Sequence, residues 1–197
     1  MINKTIEYYD VNCREFFENT VNVDMTLHYN EFEKYLKKNS KILDIGCGSG
    51  RDSLYFMSRG YEVLAFDASD EMVKMSSSLI GTKVIKSTFE EFDTDEKFDG
   101  LWACSSLLHV RKKDMRSILK KYTSYLKENG VFYLSFKYGN KEYEKDGRYF
   151  NCYDELAFKD VVKDIDNLVI EKLYISRDAR KGRENERWLN VILKKIS

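Results

Sequence analysis

The chain has 197 residues, of which 43% are hydrophobic and 34% charged, and its 33 basic and 33 acidic side chains give a formal net charge of zero. This length fits about one domain, which buries roughly 70% of the surface that the unfolded chain exposes. The neutral balance argues against a general electrostatic attraction to nucleic acid or to anionic membranes.

The chain begins with two helical patterns. Apolar residues recur at roughly helical spacing from about Lys4 to Asn19, and the segment DMTLHYNEFEKYL follows with Leu27 and Phe32 on its predicted apolar face. The pattern then changes to KILDIGC, a short apolar run that predicts a buried strand. We therefore expect a helical N-terminal cover over residues 1–38 and a sheet core over residues 41–197.

Strands and helices alternate through the core. The predicted helices are RDSLYFMSRG, DEMVKMSSSLI, KKDMRSILKKYTSYLKENG (closed by Asn129-Gly130) and YDELAFKDVVKDI. The predicted strands are YEVLAFDAS, TKVIKSTF, FDGLWACSS and VFYLSFKYG, with LVIEKLYIS and RWLNVILKKI as a final antiparallel hairpin. This alternation predicts an α/β fold with a doubly wound, mostly parallel sheet. Because no linker or repeat interrupts it, we expect one domain over residues 1–197.

The sequence gives no indication of a metal site, a membrane span or a signal peptide. The four cysteines are scattered without a CxxC pair, and there are two histidines, so we expect reduced thiols and no metal. The first ten residues lack the apolar core of a signal peptide, and no apolar run approaches the ~18 residues of a spanning helix. We expect a cytoplasmic protein.

The stretch KILDIGCGSGRDS places a strand, a glycine turn and a helix in succession. Such a turn collects backbone N–H groups and the positive end of a helix at one point, and glycine permits unusual backbone angles and close approach of a ligand. Asp67 ends the next strand, where a carboxylate accepts hydrogen bonds from ribose hydroxyls. We therefore expect a nucleotide-containing ligand at the carboxyl ends of these strands.

Two nucleotide cofactors fit this layout. A dinucleotide site uses G-x-G-x-x-G, whose last position is Arg51 when counted from Gly46 and Ser53 when counted from Gly48. An S-adenosylmethionine site uses D-x-G-x-G-x-G, and the run DIGCGSG supplies all four marked residues. Asp44 also offers a carboxylate to the ammonium group of methionine. The pattern favours S-adenosylmethionine over NAD, and an ordinary glycine turn is the remaining alternative.

Five segments, YYDVNCREFFENT, Asp24-Met25, LDIGCGSGRDS, YEVLAFDAS and CSSLLHV, together resemble the class I S-adenosylmethionine-dependent methyltransferases. The resemblance extends over essentially the whole chain, and it is greatest to the small tellurite-resistance and thiopurine type of bacterial methyltransferase. It implies a single-domain, Rossmann-like methyltransferase fold: a seven-stranded, mostly parallel sheet with one antiparallel strand and an N-terminal helical addition. The glycine motif and Asp67 are specific for the cofactor and say nothing about the methyl acceptor.

The resemblance also implies cofactor contacts. The residue after the ribose aspartate lies against the adenine in such enzymes, the ends of the third and fourth strands approach the adenine and the methionine part, and the N-terminal helix covers the cofactor. Thr88 stands where the family more often has aspartate. With the glycine motif, the expected cofactor-binding residues are Tyr9, Arg14, Met25, Asp44, Gly46, Cys47, Gly48, Asp67, Ala68, Ser69, Met72, Thr88, Phe89, Cys104 and Ser105.

His109 is the candidate catalytic residue. It follows the fourth strand in SSLLHV, at the edge of the sheet where ligands bind. Its ordinary pKa near 6.5 suits deprotonation of an acceptor. The alternative is a histidine that shapes the cofactor pocket or caps the next helix.

Two stretches carry candidate substrate contacts. Lys137 and Tyr138 follow the fifth strand, and Arg148 lies in the charged, tyrosine-rich segment after them, which we expect to be a loop over the substrate. Arg180 lies in the turn of the last hairpin, where arginines can hold an anionic substrate by bidentate contacts. Acidic residues interleave there, so internal ion pairs are the alternative.

A methyltransferase must hold the acceptor and the methyl group about 3 Å apart and aligned. A thiolate or a neutral amine needs little help from a base, whereas a hydroxyl requires a general base. The compact, neutral chain and the resemblance favour a small-molecule acceptor: a thiol, an amine or a chalcogen compound. The alternatives are an RNA or protein acceptor, which the arginines of the last hairpin would serve, and a non-catalytic S-adenosylmethionine-binding domain. The sequence leaves the methylated atom and the oligomeric state open.

Overall fold

A computed structural model describes residues 4–197 and forms one seven-stranded sheet with helices on both faces, together with a small two-stranded hairpin. The helices are α1 Lys4–Val11, α2 Cys13–Thr20, α3 Thr26–Glu33, α4 Arg51–Ser58, α5 Asp70–Ile80, α6 Lys112–Tyr125 and α7 Glu155–Val162, with a 3-10 turn at Leu107–His109. The strands are β1 Lys41–Ile45, β2 Glu62–Asp67, β3 Ile85–Lys86, β4 Phe98–Ala103, β5 Leu126–Lys137, β6 Glu142–Lys145, β7 Arg148–Asn151, β8 Leu168–Arg177 and β9 Arg187–Lys195.

The strand order is β3-β2-β1-β4-β5-β9-β8, and β9 alone runs antiparallel to both of its neighbours. The predicted fold class is therefore confirmed, including the seven strands and the single reversed strand. The chain leaves β1 toward β2 on one side of the sheet and reaches β4 on the other. That switch in direction opens a crevice at the carboxyl ends of β1 and β4.

Side chains that alternate along each strand build a core on each face of the sheet. Leu43 of β1 packs in a cluster with α6 and α7, whereas the adjacent Ile42 packs with Phe32 of α3 and Phe56 of α4. Within residues 4–197, no helix is both long enough and apolar enough to cross a membrane.

Four local predictions were wrong. The first predicted helix is divided into two helices, α1 and α2. On α3 the buried face carries His28 and Tyr29, whereas Leu27, which we expected on the apolar face, is exposed. The helix expected to close at Asn129-Gly130 ends at Tyr125, because the chain from Leu126 pairs with β4 as strand β5.

The fourth correction concerns the loop expected after Lys137. It contains the β6–β7 hairpin, whose turn residues Asp146 and Gly147 have φ angles of +51° and +76°. Asp-Gly is a favoured pair for a two-residue hairpin turn with two positive φ angles. The hairpin places Arg148 against α1, over the crevice.

Candidate functional site

The loop between β1 and α4 forms a cradle of backbone, here called the glycine cradle (residues 46–50 with Asp67). Gly46, Gly48 and Gly50 all have positive φ, at +71°, +53° and +80°. A Cβ on Gly46 would lie 2.7 Å from Cβ of Ser106, so no larger residue fits there without displacement. The Gly48 N–H donates to Oδ2 of Asp67 at 2.9 Å, which joins the loop to the end of β2.

Asp67 is fixed by backbone donors on both oxygens. Gly48 donates to Oδ2, and the Ser69 N–H donates to Oδ1 at 2.9 Å. Burial raises the pKa of this carboxyl above its ordinary value, and the backbone hydrogen bonds oppose that rise. Because a carboxylate has about four acceptor positions, two bound N–H groups leave Asp67 able to accept from a ligand's hydroxyls.

Asp44 lies beneath the loop rather than on its open side. It is buried, and it accepts a hydrogen bond from Oγ of Ser53 at 2.6 Å. Burial raises its pKa to about 8, and the nearby Asp52 adds to the rise. This side chain ties the end of β1 to the first turn of α4, so its predicted contact with the cofactor stays a prediction.

The N-terminal helices cross the open side of the cradle. Oδ1 of Asp10 accepts from the Ser69 hydroxyl at 2.6 Å and from the Glu71 N–H at 3.2 Å, at the start of α5. Phe16 covers Gly48, with a ring carbon 3.3 Å from where a Cβ would be. Helices α1 and α2 therefore close the crevice from above.

His109 is hydrogen-bonded at both ring nitrogens. Nδ1 lies 2.6 Å from the carbonyl oxygen of Tyr149, which can only accept, so Nδ1 carries the hydrogen. Nε2 then accepts from the Tyr9 hydroxyl, 2.9 Å away. Burial, with a smaller contribution from the charge of Arg148, lowers the pKa of His109 to about 4, although the hydrogen bond to the Tyr149 carbonyl opposes this fall. His109 is therefore neutral at pH 7.

A cavity of about 650 Å³ extends from the glycine cradle to the two hairpins. The predicted site residues that line it are Tyr9, Met25, Gly46, Cys47, Gly48, Asp67, Ala68, Ser69, Met72, Thr88, Phe89, Cys104, Ser105, His109, Lys137, Arg148 and Arg180. Three predicted site residues lie elsewhere. Arg14 is exposed on α2, Asp44 lies beneath the loop, and Tyr138 donates to Glu155 at 2.9 Å.

These geometric features agree with the comparisons. A family model described as a methyltransferase domain matches residues 42–130, a little under half of the chain. Ubiquinone biosynthesis O-methyltransferase of Rickettsia felis is 28% identical over 116 residues, which cover 56% of this chain and 45% of that protein. The chain spans less than half the length of the curated ubiquinone O-methyltransferases that it matches.

Solved structures share the fold. The 1,6-didemethyltoxoflavin-N1-methyltransferase of Burkholderia thailandensis, with bound 1,6-didemethyltoxoflavin and S-adenosylhomocysteine, aligns with a TM-score of 0.80 at 16% identity, over 98% of this chain and 88% of that one. The N-methyltransferase NodS of Bradyrhizobium japonicum, in complex with S-adenosylhomocysteine, aligns over the full length of both chains with a TM-score of 0.72 at 12% identity. The chain therefore has the Rossmann-like methyltransferase fold.

The residues that line the cavity fit S-adenosylmethionine. The cradle has the open backbone that a ligand can approach closely, and Asp67 is held ready to accept from a ribose. Beside Gly46, the buried Oγ of Ser106 has no hydrogen-bond partner within the described residues. A buried polar atom without a partner commonly marks the place of a bound group. Residues 4–197 contain no cluster of His, Cys, Asp or Glu that suits a metal.

Asp52 anchors the N-terminal cover, a role that the sequence did not predict. Tyr29 donates to Oδ1 of Asp52 at 2.5 Å, and the Trp102 indole donates to Oδ2 at 2.8 Å. Burial alone would raise the pKa of Asp52, but the paired Arg51 guanidinium and these donors lower it, so the carboxyl stays ionised. Arg51 also donates to the carbonyl of Thr20, which links α2 to α4.

His28 is a second cavity residue that sequence reasoning missed. It is 6% exposed and lines the cavity, and its Nδ1 lies 3.0 Å from the hydroxyl of Tyr174. Burial lowers its pKa to about 4. The sequence signal was a histidine within the segment DMTLHYNEFEKYL, whose pattern predicts a helix but not that His28 faces a cavity.

Proposed function

We propose that this chain transfers the methyl group of S-adenosylmethionine to a small-molecule acceptor, namely a thiol, an amine or a chalcogen compound. The observation that supports this proposal most strongly is a cavity of about 650 Å³, which joins the glycine cradle to a pocket made by both hairpins and the N-terminal helices. That volume lies within the roughly 300–1,000 Å³ typical of small-molecule sites. The finer assignment, to the tellurite-resistance and thiopurine type, rests on the sequence motifs alone.

S-adenosylmethionine held by the glycine cradle and Asp67 would supply a methyl carbon activated by positively charged sulfur. A lone pair of the acceptor would bond to that carbon while the carbon–sulfur bond breaks and its electron pair stays on sulfur. The acceptor's proton passes to solvent or to a base. The contribution of this chain is to align the two reactants and to exclude water from between them. Asp67 orients one end of the cofactor, and α1 and α2 close the crevice above it.

The role of His109 as a general base stays a prediction. The geometry favours a role in which His109 acts on the acceptor through the hydroxyl of Tyr9. Both ring nitrogens are engaged, so His109 reaches an acceptor only through Tyr9. By accepting from the Tyr9 hydroxyl, His109 fixes the direction of that hydrogen, and the Tyr9 oxygen keeps lone pairs for an acceptor's N–H, S–H or O–H. Burial raises the pKa of Tyr9 to about 12, so this hydroxyl stays protonated at neutral pH.

An RNA or protein acceptor has less support. It depended on the arginines of the β8–β9 turn, but Arg180 forms a bidentate pair with Asp178, and Arg183 lies 3.8 Å from Glu186. These internal pairs leave less free positive charge for a phosphate backbone.

Incubation with S-adenosylmethionine labelled in its methyl group and a whole bacterial extract tests the proposal. We expect label in the small-molecule fraction, and none with heat-denatured protein. Label in RNA or protein would contradict a small-molecule acceptor. Binding of S-adenosylhomocysteine without transfer to any fraction would instead favour the non-catalytic alternative.

A further inference from the structure

The hairpin side of the cavity carries an excess of basic side chains. Six basic residues from β5 onward line it, against three acidic ones, Asp146, Asp178 and Glu186. Two of those acidic residues are already paired. Asp178 accepts twice from Arg180, at 2.9 and 2.6 Å, and Glu186 accepts from Lys137 at 2.6 Å. The hairpin side of the cavity therefore offers more positive charge than its own carboxylates neutralise.

Arg148 is a half-buried member of this basic set, and its charge is only weakly compensated. Its guanidinium lies over the ring of Tyr8, 3.9 Å from the centroid, and 5.2 Å from the centroid of Phe150. Its nearest carboxylate within the described residues is Asp146, at 3.6 Å, which exceeds the length of a hydrogen bond. Its Nε is buried without a hydrogen-bond partner.

Aromatic rings alone do not fully compensate the charge of a half-buried guanidinium. The Arg148 side chain is only 18% exposed, whereas that of Asp146 is 59% exposed. Contacts with aromatic faces offset part of the cost of removing a cation from water, but a hydrogen-bonded anion offsets it far better. The neighbouring His109 is neutral and supplies no negative charge.

We propose that Arg148 binds an oxyanion, a carboxylate or phosphate group, on the methyl acceptor. The inference rests on the proposed function, because it names the chemistry of the acceptor that shares the cavity with the cofactor. The planar guanidinium matches the geometry of such groups. Lys137 adds a second cation, with Nζ 5.5 Å from the centroid of the same Phe150 ring.

Titration calorimetry on the chain saturated with S-adenosylhomocysteine tests this assignment. The probes are benzoate and phenyl phosphate, with benzamide as the neutral counterpart of benzoate. We expect the anions to bind the wild-type chain at least tenfold more tightly than Arg148→Gln, and benzamide to show no such difference. Arg59→Gln, the same substitution at an exposed site outside the cavity, should bind the probes like the wild type.

Two results would overturn the proposal: no binding of either anion to the loaded wild-type chain, or equal binding by Arg148→Gln and Arg59→Gln. Arg148→Lys keeps the positive charge but lacks the planar guanidinium, and it should bind the anions with intermediate affinity. Urea unfolding verifies that each variant is folded.

The methionine carboxylate of the cofactor is the other possible source of the anion. If Arg148→Gln loses S-adenosylhomocysteine affinity by the same factor, that carboxylate is the partner and the proposal fails. If the wild-type chain binds no S-adenosylhomocysteine at all, the proposed function fails instead.

Discussion

Gly46→Ala perturbs the glycine cradle at its tightest point. Gly46 has φ of +71°, where an L-residue pays about 1–2 kcal/mol relative to the right-handed region. The new Cβ would also lie 2.7 Å from Cβ of Ser106, whereas ordinary contact begins at 3.4 Å. Because Ser106 precedes the turn that carries His109, its displacement distorts both the cradle and the hydrogen bond to Tyr9.

Gly81→Ala is the matched control. Gly81 has φ of +70° at the end of α5, and a Cβ there meets no atom within 4 Å. Both variants should lose about 1–2 kcal/mol in urea unfolding from the backbone alone. Only Gly46→Ala should lose affinity for S-adenosylhomocysteine by calorimetry, at least tenfold, which corresponds to about 1.4 kcal/mol. Equal affinities in two folded variants would refute the placement of the cofactor on this loop.

Two further predictions concern charge. Asp67→Asn should weaken S-adenosylhomocysteine binding roughly 10- to 100-fold by calorimetry, since hydrogen bonds to a charged group contribute about 1.5–3 kcal/mol; an unchanged affinity would place the ribose elsewhere. The free energy of unfolding should fall as the pH drops from about 6.5 toward 4. Burial lowers the pKa of His28 and His109 to about 4, so the unfolded chain binds more protons there, and each histidine contributes roughly 3 kcal/mol. The raised pKa of Asp44, about 8, offsets about one histidine's share over the same range. Urea titrations across that range should show a shallower slope for His109→Gln, and an equally steep slope would contradict the buried neutral state.

The sheet and the cradle were predictable because local and global signals agree there. Short apolar runs that end in glycine or aspartate predict buried parallel strands. Gly60 and Gly81 mark the ends of α4 and α5, which precede the strands β2 and β3. The end of α6 was not predictable in the same way. Pairing of Leu126 with Phe98 of β4 overrides the helical propensity of the segment, and that contact is invisible in the local pattern.

The acceptor side of the cavity was only partly predictable. Arg148 and Lys137 were recognised as charged residues beyond a strand, but the hairpin that positions Arg148 was hidden by the charged composition of its strands. The Asp146-Gly147 pair was the missed signal. His28 could not be assigned to the cavity, because its partner Tyr174 lies 146 residues away.

Calorimetric titration of S-adenosylhomocysteine into the wild-type chain, at neutral pH and with NAD as the competing nucleotide, is the measurement to make first. We predict saturable binding at one site per chain, unaffected by NAD. A folded chain that binds no S-adenosylhomocysteine, or that binds NAD in its place, would contradict the assignment of the cradle to S-adenosylmethionine.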